Sequence, residues 1–229
     1  GSGDYEWIEE AKLFPSDGAA SDCFGVSVSM YDQIAIIGAF NDDDSGTNSG
    51  SAFVFERKLK SDGSGDYEWI EEAKLLASDG GGFDNFGLSV DIWDDHAVIG
   101  APGNGGSAYV FQRTLKSDGS GDYEWSQKIK RIAGDSGSAD QFGRGVSIVG
   151  IRTLVTASSH NYGVGAAYMF SQFPQLYAPT LDIAAEPFLP AFLATNGTWR
   201  AEATVAQMLV RNSVHDDNYI PTNTCPQAV

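Results

Sequence analysis

Gly63-Ser64-Gly65-Asp66-Tyr67-Glu68-Trp69-Ile70-Glu71-Glu72-Ala73-Lys74-Leu75 decides the fold of this 229-residue chain, because it recurs within it. Residues 1–13 spell the same thirteen letters, and residues 119–132 carry a diverged copy, GSGDYEWSQKIKRI. Trp7, Trp69 and Trp125 fix the frame. Seventeen residues after each tryptophan stands a Phe-Gly pair: Phe24-Gly25, Phe86-Gly87 and Phe142-Gly143. Fifteen residues after each of these phenylalanines an apolar run ends on Ala39, Ala101 or Ala157. An aromatic segment follows in each copy: Ser51 to Phe55, Ser107 to Phe111, and Ala166 to Phe170. Repetition at a fixed period is the mark of an architecture built from stacked units. The length variation falls between the alanine and the aromatic segment, so loops 40–49, 102–105 and 158–164 are expected at the surface.

Each copy reads as four short strands. Val26, Val28 and Met30 alternate with Ser27 and Ser29, and Leu88, Val90 and Ile92 with Ser89 and Asp91. Period two predicts strands with one buried face. Ile34 to Ile37 is apolar on both faces, as is His96 to Ile99 apart from its histidine, which predicts sheets packed on both sides. Ala52 to Phe55 is a third strand, and Ser61 to Asp66 is a turn leading into a fourth, Tyr67 to Leu75. Four antiparallel strands per unit, repeated every 55–60 residues, describe propeller blades.

Phe86-Gly87-Leu88-Ser89-Val90, Ile99-Gly100-Ala101-Pro102 and Ser107-Ala108-Tyr109-Val110-Phe111 together resemble an FG-GAP repeat. Copy one has Gly38-Ala39-Phe40 in place of Gly-Ala-Pro, and copy three has Thr156-Ala157-Ser158. The resemblance covers residues 1–170 and implies part of an all-β propeller like that of integrin α chains. It also implies adhesion-like binding of a protein or glycan outside the cell. Such repeats also occur on extracellular enzymes, so an accessory domain of a larger enzyme is the alternative reading. The expected organisation is three blades over about 1–62, 63–118 and 119–170, then a non-repeating tail over 171–229 with a short helix near 199–211. The chain opens inside a repeat, without Met, and reads as part of a longer protein. Flanking blades or another chain would complete the propeller.

Chemistry is sparse in the pattern. The calcium loop that integrin-type blades carry between Phe-Gly and Gly-Ala-Pro is replaced by short turns at Tyr31-Asp32-Gln33 and Trp93-Asp94-Asp95-His96, too short to supply 6–8 oxygen ligands. Residues 41–48, with Asn41, Asp43 and Ser45 at alternate positions, are the candidate calcium loop, but Ala52 stands where its closing Glu belongs, and a solvated loop is the preferred reading. Among His96, His160 and His215 no two have metal-ligand spacing. His96 is placed where copy one has Gln33, in a structural role. No catalytic, cofactor or metal residue is assigned, and the chain is expected not to be an enzyme. Glu9-Glu10 and Glu71-Glu72 recur, which favours a structural role on an exposed strand, and the recurring tryptophans favour packing.

Thirty-one acids against 14 bases give a net charge of −17. That field disfavours phosphate backbones and anionic lipid as partners. Cys23 and Cys225 fit either a bond between tail and first repeat or two separate thiols. Asn196-Gly197-Thr198 is a glycosylation sequon, and no apolar run is long enough to span a membrane.

Overall fold

The computed structural model describes residues 6–171 except 136 and 138. The helix expected near 199–211, the sequon and Cys225 lie outside the described residues. Among the described residues, eleven strands form three antiparallel sheets. The first holds β1 (Ser27–Tyr31), β2 (Ile34–Ala39), β3 (Ser51–Leu59) and β4 (Tyr67–Leu75), in that order. The second repeats it with β5 (Ser89–Trp93), β6 (His96–Ala101), β7 (Ser107–Leu115) and β8 (Tyr123–Arg131). The third has β9 (Phe142–Val149), β10 (Arg152–Ala157) and β11 (Ala166–Ser171), three strands among the described residues. The four-residue turn α1 (His160–Gly163) joins β10 to β11. No described helix is long and apolar enough to cross a membrane.

Equivalent strands pair identically. Ile34 faces Glu56 in the first blade and His96 faces Gln112 in the second. Asp95, rather than His96, therefore holds the place of Gln33. The carbonyls of Gln33 and Asp95 accept the amides of Arg57 and Arg113, both at 2.8 Å. The outer strand is bulged at the same point in both blades, at Glu72 opposite Val54 and Phe55 and at Lys128 opposite Val110 and Phe111.

The core lies between blades. Ile36, Val54 and Leu75 of the first blade pack with Val90, Ile92 and Ile99 of the second. Val98 and Val110, on the opposite face of the second blade, pack with Phe142, Ile148 and Val155 of the third. β6 thus has a blade on each side, as its doubly apolar sequence requires. The phenylalanine of each Phe-Gly pair turns back onto its own blade. Phe86 meets Tyr109 and Phe111 edge-on, and Phe142 meets Tyr168 and Phe170 likewise.

The glycines of the repeat mark where one blade touches the next. A Cβ on Gly100 would stand 2.0 Å from the carbonyl oxygen of Gly143, and one on Gly38 would stand 1.9 Å from that of Gly87. Gly87 and Gly143 in turn leave no room beside the carbonyls of Ser51 and Ser107, at 2.1 and 2.2 Å. Each also has φ near +90° (88° and 94°), where a side chain is strained regardless of space. The Gly of Gly-Ala-Pro in one blade and the Gly of Phe-Gly in the next therefore form one backbone-to-backbone contact.

One expectation is overturned at β1. The apolar face Val26, Val28 and Met30 is not buried; these residues are 44%, 68% and 66% exposed. Their counterparts Val90 and Ile92 are 7% and 3% exposed, because the first blade covers them. No described element covers Val28 and Met30.

Candidate functional site

The loops joining second to third strands gather at one end of the blades with the segments that connect successive blades. They are stitched by backbone hydrogen bonds. Asn41 donates to the carbonyl of Asp22 (3.2 Å), Phe83 to Thr47 (2.7 Å), Gly103 to Asp84 (3.0 Å) and Ser159 to Asp140 (3.1 Å). All three variable loops, 40–49, 102–105 and 158–164, lie on this end.

The acids of loop 41–48 are engaged by the protein itself. Asp42 is 5% exposed and accepts hydrogen bonds from the Ser51 hydroxyl (2.8 Å) and the Asp44 amide (3.2 Å). Asp43 accepts the Asn48 amide at 2.6 Å, closing the loop on itself. The Lys74 ammonium, from β4, lies between three carboxylates: Asp17 at 2.7 Å, Asp42 at 2.9 Å and Asp44 at 2.6 Å. Burial pushes the Asp42 carboxyl upward, but Lys74 and Ser51 outweigh it and hold it below the usual carboxylate range. Burial would lower Lys74, yet the three carboxylates raise it above an ordinary lysine. Among the described residues, no group of three or more His, Cys, Asp and Glu is arranged to hold a metal ion.

Other acids at this end also stabilise turns. Asp84 accepts the Gly81 amide (2.8 Å) and the Asn104 side chain (2.9 Å). Asp140 accepts the Gly137 amide (2.7 Å) and pairs with His160 Nδ1 (2.8 Å). Both contacts, Gly137 first, hold its carboxyl below the usual range. His160 thereby anchors the 158–164 loop, and Tyr168 closes the group with a hydrogen bond to Asp135 (3.0 Å).

Two aromatics at this end are uncovered. Phe83, between β4 and β5, is 59% exposed, and Tyr162 in α1 is fully exposed. Both have left-handed backbone, at φ 66° and 59°. Bulky residues seldom adopt that conformation, and each such residue costs about 1–3 kcal/mol. Neither stood out in the sequence, since exposure and φ have no signature in a single aromatic letter.

Of the recurring residues, Trp69 and Trp125 pack as expected and Trp7 does not, and one glutamate is less exposed than expected. Glu72 is gripped through both oxygens by Arg113, at 2.8 and 2.9 Å, and accepts Trp125 Nε1 at 3.1 Å. Trp69 and Trp125 pack against the core, whereas Trp7 is fully exposed. Cys23 is exposed, with Asn41 Nδ2 3.4 Å from its sulfur.

Blades of this strand order, packed face to face through paired glycines, define a tandem array of the β-propeller type. The chain carries FG-GAP repeats: the family model for the FG-GAP repeat matches residues 7–55 and again 69–111. No curated protein matches the chain.

Proposed function

We propose that this chain is a non-enzymatic binding and structural module of the β-propeller type, acting outside the cell on a protein or glycan partner through the loop end of its blades. The observation that carries this reading is the pair Phe83 and Tyr162, uncovered aromatics on strained backbone beside the three variable loops. Strain held in place by the surrounding fold points toward a binding role. Exposed aromatics supply large contact area to protein partners and stacking faces to sugar rings. The FG-GAP repeats support an extracellular, adhesion-like setting. The high acid content of the chain favours a neutral or basic partner.

The test is binding of the chain to an array of glycans and to a panel of extracellular matrix proteins, beside the F83S/Y162S double variant. The expected result is binding by the parent chain that falls at least about tenfold in the variant. Binding that survives both this variant and Gly-Ser replacement of loops 40–49, 102–105 and 158–164 would remove the site from the loop end.

A further inference from the structure

Three buried apolar residues at the boundary between the first and second blades are replaced by polar ones at the boundary between the second and third. Ile34 and Leu75 of the first blade and Ala97 of the second share one apolar cluster, at 8%, 3% and 0% exposed. Their equivalents one blade further on are His96, Arg131 and Thr153. The turn beside them changes in the opposite sense. Asp94 and Asp95 of the second blade give way to Gly150 and Ile151 in the third. One boundary therefore gains donors and a guanidinium group while its adjoining turn loses two carboxylates.

The three polar residues meet. His96, Arg131 and Thr153 line one cleft between the second and third blades, beside the turn from β9 to β10, with Ile129, Ile148, Ile151 and Phe170 as apolar walls. Its enclosed part is about 20 Å³, room for one water-sized group. The polar groups are not spent on one another. Arg131 Nε is buried without a hydrogen-bond partner. The guanidinium lies 5.3 Å from the Phe170 ring centre and makes no ion pair among the described residues. Thr153 is 7% exposed, and its hydroxyl makes no hydrogen bond among the described residues. His96 is held through Nδ1 by Asp95 at 2.5 Å, which leaves Nε2 unengaged. Asp95 also accepts the Gln112 side chain at 3.2 Å, so this acid is already occupied. A buried donor left unmet is costly, and the leucine of the first boundary avoids that cost.

We infer that this cleft binds a carboxylate carried on an apolar body. The guanidinium fork matches the two oxygens of a carboxylate, and charge-assisted hydrogen bonds of this kind are the strong ones. Thr153 supplies a further donor, and the isoleucines and Phe170 take the apolar part. This is the usual composition of a small-molecule site, apolar walls with a few convergent polar groups. A flat, singly charged group suits the cleft better than a phosphate. A tetrahedral phosphate needs more room than one water-sized space, and its second charge meets the net charge of −17.

The probe is phenylacetate, with phenylacetamide as its uncharged match, titrated into the full chain while the Arg131 Nε–H signal is followed by heteronuclear NMR. The expected result is a saturable shift with phenylacetate and none with phenylacetamide. Arg131→Leu restores the residue of the first boundary, so it should fold at least as stably as the parent. It should weaken phenylacetate binding at least about tenfold by titration calorimetry. Arg131→Lys keeps the charge without the fork and should fall between the two. Thr153→Ala, which restores the alanine of the first boundary, should weaken binding less than Arg131→Leu. N-acetylglycylphenylalanine distinguishes the source of the carboxylate: tighter binding than phenylacetate assigns the cleft to a peptide C-terminus, weaker binding to a free acid. A signal that moves with neither carboxylate, or equally with phenylacetamide, would overturn the inference and leave Arg131 to a trapped water. So would phenylacetate binding that survives Arg131→Leu.

Discussion

Glu72 of the first blade holds Arg113 of the second with both carboxylate oxygens, at 2.8 and 2.9 Å, across the boundary between the blades. Arg113 also stacks over Tyr123, 3.7 Å from the ring centre, and reaches Glu56 at 2.8 Å. Arg57 repeats this with Glu10 and Tyr67. Each outer strand thus ties down the blade that follows it. Stability in this array resides in repeated nearest-neighbour contacts, and it differs between equivalent positions according to whether a neighbour is present.

Ile92 and Met30 occupy the same position in consecutive blades and separate packing from composition. Ile92→Ala should cost about 2–5 kcal/mol, the range for a large apolar side chain removed from a closed core. Met30→Ala should fall within about 0.5 kcal/mol of the parent, as for a surface position. Urea unfolding of both variants checks the contrast, and equal losses would contradict it.

Gly100→Ala places a methyl 2.0 Å from the Gly143 carbonyl oxygen. A backbone atom cannot swing aside as a side chain can, so overpacking of about 1–3 kcal/mol is expected. Gly105→Ser, on the neighbouring loop with nothing within 4 Å of its Cβ, supplies the comparison: it carries the penalty of its positive φ but no clash. Thermal denaturation should rank Gly100→Ala as the more harmful.

Lys74 pairs with three acids, of which Asp42 is buried. Because Asp42 is held below its unfolded value of 3.8, its contribution is present above that pH and fades as pH falls through the lower folded value. Lys74→Met should cost about 3 kcal/mol near pH 7, where it leaves Asp42 charged and unpaired. The gap from the parent should narrow below pH 4, as Asp42 takes up a proton in the variant. Denaturant titrations at pH 7 and pH 3.5 test this, and a gap that widens in acid would refute the assignment.

Calcium should leave the melting temperature unchanged between millimolar calcium and chelator, because the space among Asp17, Asp42 and Asp44 is taken by an ammonium group. A calcium-dependent rise that disappears in Asp43→Ala would restore the metal reading of residues 41–48.

The blade itself was legible because it is written three times in register. Trp, Phe-Gly, the closing alanine and the aromatic strand each mark a fixed place in a sheet. The burial of β1 was misread because its alternation fits a covered strand equally well, and whether a neighbour covers it is not encoded in β1. Lys74 was invisible as the partner of Asp42, since a contact 32 positions apart depends on how β4 lies beside β3. The acids of 41–48 drew attention by their density, while Lys74 stood within a repeated strand where a charged letter carries no local signal. Thr156 was visible as a departure from Gly-Ala-Pro. Its consequence, a side chain where two backbones otherwise meet, required the packing of the first two blades.

The central claim is that the first two blades are built alike and differ in order only by their neighbours. Amide hydrogen exchange read peptide by peptide tests it most directly. The account predicts strong, similar protection in β2, β3, β6 and β7, and rapid exchange over residues 6–13 although their sequence is identical to part of protected β4. Protection of residues 6–13 equal to that of β4, in the chain as it stands, would contradict it.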